Sequence, residues 1–306
     1  MADDTMTAFL HDLKEREVRA KERLARIDGE YLYFGVIGLS AESDQLEFGA
    51  GARLRRVVDA PGEVEVAAAL HLDDVSIYGS VARYARRIGL ELVVRRLEDH
   101  RTTFTVGYVL ISALRIRTLA EFLVPAVSDH SWSTLCGIKN QRCHIELLED
   151  HPMFRGLEPP KLVTQGDADW VSRNTSQICR LMENPRFRLA ADSLCSHQHL
   201  VNTRMMAAML WSGVESLFSV TSELRFRLAS FIAAALEERG DNRIRLYRQV
   251  KRLYDFRSKL VHGSSETEEA IIQHIIEVRR ILSRLLCFFI EHDLPDDARL
   301  ENMLFG

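Results

Sequence analysis

From residue 186 to 294 the apolar positions recur at helical spacing. One line runs through Met206, Met209, Gly213 and Leu217, and another through Ile271, Ile275, Val278, Leu282, Leu285 and Phe289. This period places one side of each segment against a core, so the stretch predicts helices at about 186–198, 201–220, 222–239, 243–262 and 266–292. The stretch has no proline, and two of its three glycines stand where a helix should stop. Gly240 in ERGDN and Gly263 in HGSSETEE are expected as C-terminal caps, with Ser265 and Glu268 at capping-box spacing for the helix that follows. Gly213 falls on an apolar line, which predicts a second helix packed closely there. The short connections point to a helical bundle.

Residues 30–184 have a different pattern. Short β-branched and aromatic runs, at 31–39, 52–58, 90–97 and 103–116, are separated by Gly, Asp and Pro. They predict an α+β region with a substantial sheet. VARYARRIG (81–89) reads as an intervening helix, residues 1–27 as a charged N-terminal helix, and 149–170 as loop. The expected organisation is an N-terminal helix (1–29), an α+β sensing or partner-binding domain (30–184), an all-α bundle (185–292) and a C-terminal tail (293–306).

The longest apolar runs, such as LLCFFI and FIAAAL, fall far short of the roughly 18 residues of a membrane span, so no membrane partner is expected. The N-terminus alternates acids and bases without the apolar core of a secretion signal, and the five cysteines have no regular spacing. Reduced thiols and a cytoplasmic location follow as expectations. A net charge of -4 argues against bulk polyanion binding. Any nucleic-acid contact must therefore be local.

One segment meets that condition. RIRLYRQVKRLYDFRSKLVH (243–262) carries seven basic residues against one acid, Asp255. Arg257 lies within its apolar line of Leu246, Tyr247, Val250, Leu253, Tyr254, Leu260 and Val261. A permanent charge there is costly unless it is paired or directed at a ligand or a second subunit. His262 lies about 140° further round an ideal helix. Arg257 bound to a carboxylate and His262 resting on the helix dipole is the alternative for this pair.

Other chemistries find less support. His130, Cys136, Cys143, His144 and His151 form a cluster, but its cysteines lack the close pairing of most metal sites. Cys195, His197 and His199 read as ordinary buried or surface residues. GAG (49–51) is not a dinucleotide fingerprint, and no phosphate loop, nucleophile elbow or H-E-x-x-H occurs. No cofactor and no metal are expected.

The tract LYDFRSKLVHG (253–263), late in an all-helical region with WSGVESLF (211–218) before it and a hydrophobic last helix, resembles the HEPN superfamily. Its signature is Arg, four to six residues, then His, and the ApeA-like HEPN families of bacterial defence proteins are especially similar. The resemblance covers about 185–292. It implies a metal-independent endoribonuclease working as a homodimer, a toxin or antiphage effector, with Arg257 and His262 as catalytic residues. Ser258, Tyr254 and Glu215 would support them, and Lys259, Arg252, Lys251 and Arg248 would guide the RNA. The implied partners are RNA, tRNA among the candidates, and an activating or inhibiting protein. Ser258 stands where many active members carry Asn, Asp or His, and no Tyr follows the His for modification. A catalytically silent HEPN module that dimerises or binds RNA or nucleotide is the alternative.

Overall fold

The computed structural model describes residues 30–305 apart from 50, 71–74, 98–99, 136–142, 152–155, 219–222 and 262. The N-terminal helix expected at 1–27 lies outside the described residues. The chain forms two compact units. One comprises residues up to Tyr108 with Phe122–Phe154 and Pro160–Ser172, and the other Val109–Glu121, Arg155–Pro159 and Arg173–Gly306. The architecture is α+β in the first and all-α in the second.

The first unit is built on β1 (Tyr31–Val36), β2 (Ser40–Ala41), β3 (Gln45–Glu47), β4 (Ala52–Arg56), β5 (Leu90–Arg95), β6 (Ala126–Ser128), β7 (Ile145–Leu147) and β8 (Leu162–Val163). Six of these make an antiparallel sheet in the order β3-β4-β5-β1-β6-β7, and β2 pairs with β8 in parallel. The central strands β1 and β5 are buried at almost every position, which explains why their sequences read as continuous apolar runs rather than alternations. Helices α1 (Glu63–Leu70) and α2 (Val75–Ala85) supply Val66, Val81, Tyr84 and Ala85 to a core shared with Tyr33, Val93 and Trp132. Between β3 and β4, Gly49 and Gly51 have φ of 70° and 81°. That conformation suits glycine because it lacks a Cβ.

The run at 103–116, expected as strand, is instead the body of helix α3 (His100–Thr118). Every residue from Ile111 to Ile116 is buried, Arg115 included. Burial on all sides removes the polar face by which a helix is recognised, and only the length of the run argues against a strand.

The second unit contains the end of α3 and of α4 (Gln165–Met182), then α5 (Pro185–Ser196), α6 (Thr203–Ser216), α7 (Leu224–Leu236), α8 (Asp241–Val261), α9 (Glu268–His292) and α10 (Asp297–Phe305). It thus reaches beyond the expected 185–292, and the expected tail carries a helix. Asn184 and Asn202 cap α5 and α6 with their side-chain oxygens. Helix α9 is capped by Thr267, whose hydroxyl accepts from the Ala270 N–H, so the Ser265–Glu268 capping box does not form. Gly263 adopts positive φ at its expected stop, whereas α7 already ends at Leu236 with Glu237 as its C-cap, and Gly240, also at positive φ, instead directly precedes α8 and accepts from the Ile244 N–H. Gly213 is the contact point of three helices: a Cβ there would lie 2.8 Å from Ser193 Cβ of α5 and 3.1 Å from Leu282 Cδ2 of α9. Among the described residues no helix is long and apolar enough to cross a membrane.

A buried ionic group also belongs to this unit. Arg279, 1% exposed, lies 3.2 Å from Glu121 and 3.1 Å from Glu158 and donates to the Leu119 carbonyl. Glu121 accepts from the N–H groups of Leu157 and Glu158, and its other oxygen is 3.7 Å from His197 Nε2.

Candidate functional site

Helix α8 holds Leu246, Val250, Leu253, Tyr254 and Leu260 in the core, with Val261 exposed at its end. Arg257 follows Tyr254 by three residues, so the two share a face. Its guanidinium carbon is 5.5 Å from the centre of the Tyr254 ring, and Nη2 is 3.2 Å from Oε1 of Glu215 on α6. Tyr254 in turn packs edge-on against Trp211, whose indole N–H donates to His274 Nε2 at 3.0 Å. Arg257 is therefore positioned by three residues of two helices. Its Nε is buried and has no hydrogen-bond acceptor among the described residues.

Arg257 also lines an open cavity of about 170 Å³ with Arg204, Met205, Ala207, Ala208, Leu260 and Val261. Arg204 donates to the carbonyls of Leu260 and Ser264 and so closes the C-terminal end of α8. Two arginines thus line one largely apolar cavity. Burial pushes the Glu215 carboxyl up, against the pull of Arg257, and burial with the nearby Glu215 charge pushes the Tyr254 hydroxyl up.

The expected site residues separate into two groups. Arg257, Tyr254 and Glu215 come together. Ser258 is half-buried and does not line the cavity. His262 lies outside the described residues. Arg248, Arg252 and Lys259 are exposed and Lys251 is half-buried, its ammonium 5.1 Å from the Tyr247 ring centre. At about 100° per residue these four fall within an arc of about 100° on the opposite side of α8 from Arg257. Of the two acids on that side of the helix, Asp241 stands in the first turn and Asp255 is paired with Arg225 of α7 at 2.5 Å. The basic surface and Arg257 thus occupy different faces of one helix.

Of the other clusters, Cys195 and His197 are buried, His197 donating or accepting at the Leu194 carbonyl. The Glu121–Arg279–Glu158 group was not among the expected residues. Its one sequence signal is Arg279 on the apolar line between Ile275 and Ser283, the same kind of signal that marks Arg257. In the β6–β7 region, His130 Nδ1 is 2.6 Å from Asp129 Oδ1, and Cys143 is buried with its sulfur 3.3 Å from Ser128 Oγ. Burial alone would raise the Asp129 carboxyl, but His130 and the His144 N–H hold it below the usual carboxylate range. His144 is exposed and pairs with Glu146, and Cys136 lies outside the described residues. No family model, curated protein or solved structure matches this chain.

Proposed function

We propose that the helical unit is a metal-independent RNA endonuclease of HEPN type, cytoplasmic and dimeric, acting as a toxin or antiphage effector. The observation that carries this reading is Arg257 itself. It is oriented by Glu215 and Tyr254, keeps an unused Nε–H, and lines an open cavity beside a second arginine. A phosphate oxygen would satisfy that donor with a charge-assisted hydrogen bond. His262 would take the proton of a ribose 2′-hydroxyl as its oxygen attacks phosphorus, or return a proton to the departing 5′-oxygen. Arg257 would stabilise the charge developing on the phosphoryl oxygens. The products are a 2′,3′-cyclic phosphate and a 5′-hydroxyl. Arg248, Lys251, Arg252 and Lys259 would hold the RNA backbone on the opposite face of the helix.

A second reading, a catalytically silent module that binds RNA or nucleotide, is favoured by the Glu215 carboxylate, which already occupies one edge of the guanidinium. Incubating the full chain with total tRNA in EDTA separates the two. For the nuclease, cleavage yields cyclic phosphate ends and falls at least about 100-fold in both His262→Ala and Arg257→Ala. Parent-like cleavage in either variant overturns the site assignment, and tRNA binding without cleavage selects the silent module.

A further inference from the structure

Strands β6 and β7 pair antiparallel with Ser128 opposite Ile145, at the end of the sheet order. The register continues one residue further, since the Asp129 N–H donates to the His144 carbonyl at 3.1 Å and the His144 N–H donates to Asp129 Oδ1 at 3.0 Å. The pairing brings Asp129 and His130, just past β6, beside Cys143, just before β7. A carboxylate oxygen, an imidazole nitrogen and a thiol sulfur then lie within 4.8 Å of one another. These donors represent three chemical types and come from two backbone segments fixed by one ladder.

We propose that Asp129, His130 and Cys143 form a divalent transition-metal site, best suited to zinc, with one coordination position left to solvent. Oxygen, nitrogen and sulfur together favour a borderline cation over magnesium or calcium, which prefer oxygen alone. Ligand bonds of about 2.0–2.3 Å place an oxygen, a nitrogen and a sulfur donor roughly 3.3–3.6 Å apart in a tetrahedral site, so these side chains need to close by no more than about 1.5 Å. The His130–Asp129 hydrogen bond at 2.6 Å is tighter than that spacing and must lengthen on loading. A carboxylate, a neutral imidazole and a thiolate carry two negative charges, so a divalent ion leaves the half-buried site neutral. The thiol proton and any proton on the ligating ring nitrogen must leave those atoms for the metal to bind, so binding weakens as pH falls. The cation has a way in: the Asp129 and His130 side chains are 19% and 17% exposed, while Cys143 lies beneath them in the core. Bound there, it would tie together the two ends of the chain segment between β6 and β7. Spacing along the sequence conceals this site, because its closest pair of ligands is Asp-His rather than Cys-x-x-Cys.

The test is titration of the full, chelator-stripped chain with zinc chloride and, separately, with cobalt chloride. The expected result is one equivalent per chain, a thiolate-to-cobalt charge-transfer absorption, and a zinc-dependent rise in the thermal midpoint. His130→Asn and Cys143→Ala should each weaken binding at least about 10-fold, and Cys143→Ala should abolish the absorption. Absence of metal uptake by the parent, a cobalt spectrum without the thiolate band, or parent-like affinity in His130→Asn overturns the proposal. The last of these decides the matter even if Cys143→Ala does not fold, because His130 is partly exposed and makes no core contact comparable to that of the thiol.

Discussion

Arg279 cannot lose its proton within any ordinary pH range, so its burial depends on Glu121, Glu158 and the Leu119 carbonyl. Glu121→Ala would leave that charge half-paired and two backbone N–H groups unsatisfied, and should lower stability by about 3–5 kcal/mol in urea unfolding. Two neighbouring histidines make the same unit acid-sensitive. Burial holds His197 below its ordinary value and His274 down at about 4. For such a group the unfolded chain binds the proton more readily, so stability is full above the unfolded value and falls as pH drops toward the folded one. Glu121, held below the usual carboxylate range chiefly by His197 and Arg279 against the effect of burial, loses its contribution at still lower pH. Between pH 6.5 and 5 His274 alone should cost about 1.5 kcal/mol. Denaturation midpoints at the two pH values check this, and His274→Phe should flatten the dependence while weakening the fold through the orphaned Trp211 N–H.

Gly213 shows what an element can demand of one position. In an exposed helix Gly→Ala would stabilise by about 1 kcal/mol. Here the added methyl meets Ser193 Cβ, part of a rigid backbone-proximal group, so Gly213→Ala should instead destabilise by about 1–3 kcal/mol, and Gly213→Leu by more, as a drop in the denaturant midpoint. That close approach is legible in the sequence because the glycine lies on an apolar line, and the stop at Gly263 is legible because local turn chemistry sets it, whereas α7 ends before Gly240. Helix α3 is not, since burial on every side leaves no period to read. The candidate site divides similarly. Arg257 stands out as a charge on a core-facing line, but its pairing with Glu215 spans two helices and no spacing rule reveals it. Asp129 escapes notice because its partner Cys143 is brought to it by strand register alone.

For the molecule as a whole, a net charge of -4 says little about where charge is available. The outer arc of α8 keeps Arg248, Arg252 and Lys259 exposed while Asp255 is engaged by Arg225. Replacing Arg248 and Arg252 with Ala should therefore weaken tRNA binding and reduce its salt slope by about one for each phosphate no longer neutralised, without changing stability by more than about 0.5 kcal/mol. Filter binding across a salt series measures it. The units themselves are discontinuous in sequence. A fragment of residues 185–306 lacks Glu121, Glu158 and the Ile116 carbonyl that accepts from Ser283. It should show no cooperative thermal transition by circular dichroism.

The same discontinuity imposes a schedule on synthesis at the ribosome. The end of α3, Val109 to Ile116, belongs to the helical unit, yet Cys195, Ser283 and Cys287, which bond to its carbonyls, are made much later. At about 5–20 residues per second the gap between Ile116 and Cys287 lasts roughly 10–30 s. Until the last of them is made, the nascent chain carries an apolar helix with an incomplete set of permanent neighbours, so its yield in the cell should depend on chaperones that shield such segments during translation.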